Sequence, residues 1–377
     1  MARKAERILS DLFADDAPRL FGTGWISGIL AIALGLLALA AVLCLHFPDW
    51  LTIPELRDRY PLPLVRLAID GAILLVLLLA AISLLLRRRK ALGLAGVLLG
   101  ALALILGAGG VPIERSESSA IYLGLDWFVL GTLTTAALLV PLERWRPLRP
   151  NQGAFRRGWL TDTEYFFASH ALVQLMSVLV MLPAVKLGAW LAVPLLAAAV
   201  QSIPVALQFL GCVLVADLAQ YWIHRGFHSV PLLWRFHLVH HSVERMDWLA
   251  GSRLHLVDII LTRGLVLLSL IVAGFDERAV LAYLGFVSFH AVFIHANFAP
   301  RWPWLERWLV MPRFHHWHHG IEAEARDVNF AVHLPLLDRL FGTEHMPAGR
   351  WPTGYGVAGV EAPEGWVRQL AWPWRGM

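Results

Sequence analysis

Apolar stretches long enough to cross a lipid bilayer recur along most of this chain, and no other feature narrows its possible folds as much. Crossing a hydrocarbon core of roughly 30 Å takes about 20 residues of helix. Residues 25–46, 64–86, 91–109 and 120–142 each meet or approach that length. From 165 to 200 the chain is again apolar but is interrupted by Pro183, Lys186 and Pro194, which predicts one span and an interfacial or re-entrant piece. A further span is predicted at 203–223. Two shorter stretches, 256–275 and 279–298, are joined by Asp276, Glu277 and Arg278 and read as a hairpin that enters and leaves on one side. In hydrocarbon every backbone N–H and C=O must be satisfied internally, which leaves helices or closed barrels. These runs lack the alternation of barrel strands, so the chain is expected to be all-α, a polytopic transmembrane helical bundle.

Composition and charge placement agree. The chain is 58% hydrophobic and 16% charged, against about 25% charged in a soluble domain. Its net charge of +4 is carried by basic residues beside apolar runs. Arg87, Arg88, Arg89 and Lys90 follow the second run; Arg144, Arg146, Arg149, Arg156 and Arg157 follow the fourth. Basic residues flanking spans favour the cytoplasmic side, and the even number of crossings between the clusters puts both there. The charge therefore reads as topology and lipid headgroup contact, with no nucleic-acid partner. Cys44 and Cys212 lie inside apolar runs, which argues against a disulfide framework or a cysteine metal site. The charged start of the chain is unlike a cleaved signal peptide. No span is predicted beyond Pro300.

Sixteen histidines occur, and twelve lie between His224 and His319. Three clusters hold the pattern: HRGFH with His224 and His228, HLVHH with His237, His240 and His241, and HHWHH with His315, His318 and His319. Residues three and four apart share one helix face, so each cluster presents its imidazoles together. Imidazole ligates Fe, Zn, Cu or Ni, and eight aligned rings exceed a four-ligand zinc site. Two metals is the economical reading. A lone interfacial histidine is more often a satisfied polar residue, and His46, His170, His333 and His345 are read that way. Asp217, Tyr221, His224 and His228 form one helical stripe at i, i+4, i+7 and i+11. An ionisable residue at membrane depth is expensive and usually functional. Asp217 is expected to accept a hydrogen bond from a ligand imidazole, with a polar helix–helix contact as the plainer alternative. His295 borders the interface and is a ligand candidate; His290, five residues earlier, and His255, before the hairpin, are further candidates.

At these residues the sequence resembles the fatty acid hydroxylase and sterol desaturase superfamily, whose signature is HxxxH or HxxxxH followed by two HxxHH motifs. The resemblance takes in DLAQYWIHR, PLLWRFHLVHHS, HANF, MPRFHHWHH and VNFAVHLPLLDRLFGTEHMP, and runs from about residue 120 to the C-terminus. Leu256 follows His255 where many relatives have proline, which leaves the role of His255 open. The resemblance implies a cytoplasmic histidine-rich helical cap holding a di-iron site, with zinc able to replace iron in a purified sample. It implies O2 as co-substrate, a lipid substrate and an external electron donor such as cytochrome b5, a ferredoxin or a reductase. The implied ligands are His224, His228, His237, His240, His241, His295, His315, His318 and His319, with His255 or His290 in addition. The expected activity is hydroxylation or desaturation of a sterol, fatty acyl or related lipid, or ether-lipid cleavage as the alternative within the superfamily. Residues 1–115 then form an N-terminal transmembrane extension, 116–350 the catalytic membrane domain and 351–377 a C-terminal cytoplasmic tail. The bacterial inner membrane is the expected location. A histidine-rich metal transporter is the rival from another class, but its ligands should line spans near the midplane, whereas these cluster at span ends. The HExxH and GxSxG signatures of hydrolases are absent.

Overall fold

The computed structural model describes residues 22–53, 61–107, 123–153, 156–171, 173–300 and 302–375. The charged start of the chain, the last two residues of the predicted third span, the first three of the fourth and the side chain of His170 lie outside the described residues. Among the described residues the structure is helical, with two isolated β-bridges and no strand. The all-α expectation holds. Five helices are long and apolar enough to cross a membrane, and the chain is a multi-pass membrane protein. Contacts divide it into two compact units, 1–133 and 134–377.

In the first unit α1 (Trp25–His46), α2 (Leu62–Leu86) and α3 (Ala91–Leu106) pack on one another. Lipid offers no hydrophobic drive for helices to associate, so small residues that let backbones approach must supply the contact. Gly28 lies against Ser83 and Leu92, Gly96 against Ala31 and Ala80, and Gly100 against Val76 and Leu77. Leu74, Leu85, Leu98 and Ile105 point outward and are at least 70% exposed. Such a surface suits hydrocarbon, not water. The third helix is shorter than its predicted run: its 16 residues rise about 24 Å, and Gly107, at φ 68, closes it.

In the second unit α4 (Leu125–Trp145), whose first residues belong to the other unit, leads through α5 (Trp159–Ala171) to α6 (Val173–Leu191) and α7 (Pro194–Gln201). Leu179–Leu191 and Pro194–Gln201 meet at 105°, a broken or re-entrant span as expected for this stretch. Pro194 starts α7 because a proline has no N–H to continue the preceding helix. The long α8 (Val205–Ser229) lies between α10 (Leu256–Ala273) and α11 (Glu277–Phe293). Cys212, Val213 and Ala216 of α8 pack with Val266 and Leu270 of α10 and with Ala279 and Tyr283 of α11. The predicted hairpin thus has α8 set against both of its arms.

Proline then builds the histidine cap. Pro231, Pro312 and Pro335 stand at the first turns of α9 (Pro231–His241), α12 (Pro312–His318) and α13 (Pro335–Phe341). The residue before each is held extended, as the proline ring requires. Val230 in this way ends α8 just after His228 and turns the chain directly into the helix carrying His237. Residues 352–374, including α14 (Trp366–Ala371), return over the cap. Arg149 donates to Pro352 O, Ile321 N to Gly354 O, and Trp374 packs edge-on to Phe236.

Replacing Gly96 by Leu should cost about 1–3 kcal/mol through overpacking, since even a Cβ there would come within 2.8 Å of the Ala31 Cβ. Gly71→Leu should be neutral within about 0.5 kcal/mol, because nothing lies within 4 Å of that position. Thermal unfolding of the two variants in detergent distinguishes them; equal melting temperatures would contradict the tight three-helix packing.

Candidate metal centre

The end of α8 supplies His224 and His228 on one face, and α9 supplies His237, His240 and His241. His295 follows the last turn of α11, and α12 with its C-cap supplies His315, His318 and His319. Nine imidazoles converge in two sets. His224, His228, His237, His241 and His318 form one; His240, His295, His315 and His319 form the other; the ligand atoms within each set lie within 4.8 Å of one another. Helix geometry explains the division. At about 100° per residue, position i+3 falls about 60° to one side of i, and i+4 about 40° to the other. An HxxHH helix therefore splays its middle imidazole away from the outer pair. In α9 the pair His237 and His241 joins the five-membered set and His240 the other. In α12 the assignment reverses, with His315 and His319 together and His318 across.

The outer nitrogens fix the inner ones. His224 Nδ1 lies 2.8 Å from Phe330 O, His240 Nδ1 3.0 Å from Arg253 O, His295 Nδ1 2.7 Å from Ala291 O and His318 Nδ1 2.8 Å from Val328 O. His237 Nδ1 lies 2.6 Å from Asp258 Oδ2, and His228 Nδ1 3.1 Å from Asp327 Oδ1. Carbonyls and carboxylates only accept, so each Nδ1 carries the proton and each Nε2 is left with a lone pair. These lone pairs face each other. His224 and His237 bring their Nε2 atoms to 3.0 Å, and His240 and His295 to 3.3 Å. The Nε2 atoms of His228, His241 and His318 are buried without a protein partner. Two acceptors at such a distance repel unless a cation lies between them. The donor set fits a pair of metal ions.

Burial also keeps these rings neutral. It pushes His237, His240, His241, His315, His318 and His319 well below the ordinary histidine range, and neighbouring imidazoles add to the effect for each. His295 is pushed down to about 3, again by burial first. A neutral imidazole is the form that binds metal.

Four residues singled out in the sequence do other work. His255 caps α10, its Nδ1 accepting from Val257 N–H, while its Nε2 donates to Leu370 O. His290 donates from Nε2 to Val310 O and accepts at Nδ1 from His333. Asp217 touches no imidazole of the two sets; its oxygens accept the backbone N–H groups of Val332, His333 and Leu334. Tyr221 bonds Thr343 Oγ1 at 2.8 Å. Asp338 accepts from the N–H groups of Phe330 and Ala331, so two buried carboxylates hold five consecutive backbone donors. Asp217 and Asp338 thus hold the stretch whose Phe330 carbonyl faces His224 Nδ1.

Sequence reasoning passed over the carboxylates that do meet the imidazoles. Asp258, in the first turn of α10, carried the signal already applied to Asp217: an ionisable residue inside a predicted apolar run. Asp327 gave none, and its left-handed backbone, φ 55, is shared two residues on by Asn329 at φ 57. Asn329 donates to Phe314 O and His345 O and so ties this turn to α12.

Residues 209–343, which include all nine histidines, match the family model described as fatty acid hydroxylase. Over 171 residues, 45% of this chain and 51% of the relative, the chain is 32% identical to an ornithine lipid hydroxylase of Rhizobium tropici. It is 29% identical to alkylglycerol monooxygenase of Homo sapiens over 34% of this chain and 28% of that one. It is 24% identical to a methylsterol monooxygenase of Arabidopsis thaliana over 35% of this chain and 45% of that one. The chain thus spans about half, or less, of the length of these relatives. No solved structure matches it.

Acid should weaken the metal-free protein. Unfolded, these histidines take up protons near pH 6.5, whereas burial keeps them neutral in the fold to lower pH. The unfolded chain binds more protons below that pH, so stability should be level above about pH 7 and fall as pH drops from about 6.5 toward 5. Melting of chelator-treated protein across this range checks it, and a flat profile would contradict the dry burial of the rings.

Proposed function

With a fatty acid hydroxylase domain across residues 209–343 as the premise, we propose that this chain is a di-iron membrane oxygenase that uses O2 to hydroxylate or desaturate a C–H bond of a lipid. The observation that carries the proposal is the convergence of nine buried, neutral imidazoles in two sets, with the Nε2 atoms of His228, His241 and His318 left without a protein partner. His224, His228, His237, His241 and His318 hold one ion, and His240, His295, His315 and His319 hold the other. Bound iron supplies the dioxygen and C–H chemistry. Hydroxylation balances as RH + O2 + 2e− + 2H+ giving ROH + H2O, so an external donor such as cytochrome b5, a ferredoxin or a reductase must deliver the electrons.

The chain's own residues aim the imidazoles and keep water out. Six Nδ1 contacts fix ring orientation, and the carboxylates of Asp258 and Asp327 raise the basicity of His237 and His228. All nine rings are buried, His228 included, whose side chain is 5% exposed. The apolar α8 and α10, which frame His224 and Asp258, give a lipid tail a route to the centre from the bilayer. The basic clusters support a cytoplasmic position for the histidine cap, at a bacterial inner membrane. The named activities of the three relatives support lipid as the substrate class. Similarity to alkylglycerol monooxygenase supports ether-lipid oxidation as a second reading.

Purified protein should contain about two irons per chain, as nine imidazoles exceed one four-ligand site. His240→Ala and His318→Ala should each lose metal and abolish O2-dependent incorporation of labelled oxygen into extracted lipid. Full metal content in both variants would count against the assignment. Asp258→Asn should weaken metal binding about 10–100-fold, read by chelator titration; unchanged retention would show that this carboxylate leaves His237 unaffected.

A further inference from the structure

Asp247 and Arg253, in the loop between α9 and α10, join Arg156 and Asp162 at the start of α5 in a buried ionic network that no histidine spacing announces. Arg156 Nη2 lies 2.5 Å from Asp162 Oδ2 and 2.5 Å from Asp247 Oδ1, and its Nε lies 2.6 Å from Asp247 Oδ2. Arg253 Nε reaches the other Asp162 oxygen at 2.6 Å. The four side chains are buried and their charges cancel. A buried ion pair is by itself weak support for stability, since apolar residues of similar volume often do as well. Its geometric effect is more specific.

Asp247 Oδ1 accepts the N–H groups of Leu249 and Ala250 and so opens the short turn Ala250–Ser252. The backbone held in this way makes two contacts with the centre. Arg253 O takes the Nδ1–H of His240. Gly251 lies so close to His295 that a Cβ there would stand 3.0 Å from the ring Nδ1 and 3.2 Å from Cγ. Both imidazoles belong to the four-membered set. The Nδ1 contacts of His224, His228, His237 and His318 go elsewhere, to Phe330, Asp327, Asp258 and Val328.

We propose that Arg156, Asp162, Asp247 and Arg253 are positioning residues for one metal position only, the one bounded by His240, His295, His315 and His319. This rests on the two-metal reading above. The network fixes the 247–253 backbone, and the backbone in turn sets the direction of His240 and the room open to His295. Disturbing it should loosen one ion and leave the other in place.

Chelator titration of the full-length, iron-loaded protein, read as iron per chain, tests this. Wild-type protein without bound iron would overturn the two-metal reading itself. Given a loaded wild type, Asp162→Asn should lose about half of its iron at a chelator concentration about 10–100-fold lower than wild type requires. Gly251→Ala crowds His295 without touching a charge, and should do the same if Asp162→Asn fails to fold. Combined with His240→Ala, Gly251→Ala should add nothing further; combined with His318→Ala, it should add its full effect, as independent sites do. Wild-type retention in Gly251→Ala, or loss of both ions together from a variant that still melts like wild type, would overturn the proposal.

Discussion

Unprotonated imidazole nitrogens that face one another in a dry interior are the constraint on which the rest of this structure depends. With their protons committed to Phe330 O and Asp258, His224 and His237 have only lone pairs to turn toward each other at 3.0 Å. A buried polar atom without a partner costs about 1–3 kcal/mol, and several occur together here. A tautomer change does not relieve this at His224 and His237, because either ring would have to surrender its outer hydrogen bond to gain an inner one. A cation removes the conflict at every ring at once. If the histidine cap holds metal, the free energy of binding it is coupled to the stability of the cap.

The surrounding framework answers this need mainly through main-chain carbonyls. Four of the six Nδ1 contacts end on backbone oxygen, so ligand direction is set by where loops run. That makes the buried acids outside the centre intelligible. Asp217 and Asp338 take five successive N–H groups from residues 330–334 and fix the Phe330 carbonyl that faces His224. The carboxylates act through the backbone instead of through the rings. The long α8 joins these levels, because Asp217 and His224 lie two turns apart on it.

The parts of this architecture that were legible in the sequence depend on local periodicity. Apolar runs gave the spans, and histidines at three- and four-residue spacing gave the helices of the cap. The splay within HxxHH was overlooked because i, i+3 and i+4 count as one face, although about 100° separates the last two. At the scale of a metal ion that angle separates two positions. Long-range partners were not legible at all. Asp217 stands out as an acid in an apolar helix, but it meets backbone amides of residues 332–334 and not the expected imidazole, a choice made by a segment more than a hundred residues away. His290 and His295 show the same limit. Their five-residue spacing indicates that they point apart, yet only the fold reveals that His290 turns to His333 and Val310. The third span ran short for a local reason that composition hid, a glycine at φ 68 inside an apolar run.

The two sets of imidazoles differ in a way that bears on what each can do. Five rings, two of them backed by carboxylates, surround one position; four rings, with carbonyl partners at His240 and His295, surround the other. A site with fewer protein ligands keeps coordination positions for molecules from outside, which is how catalytic metal sites differ from structural ones. It also depends more heavily on the aim of each remaining ligand, since none is redundant. The backbone held by the Arg156–Asp162–Asp247–Arg253 network meets this four-ring set, through Arg253 O at His240 and Gly251 beside His295. Were metal held in both sets, the aim of each ring would matter most where the ligands are fewest, and the buried network lies on that side.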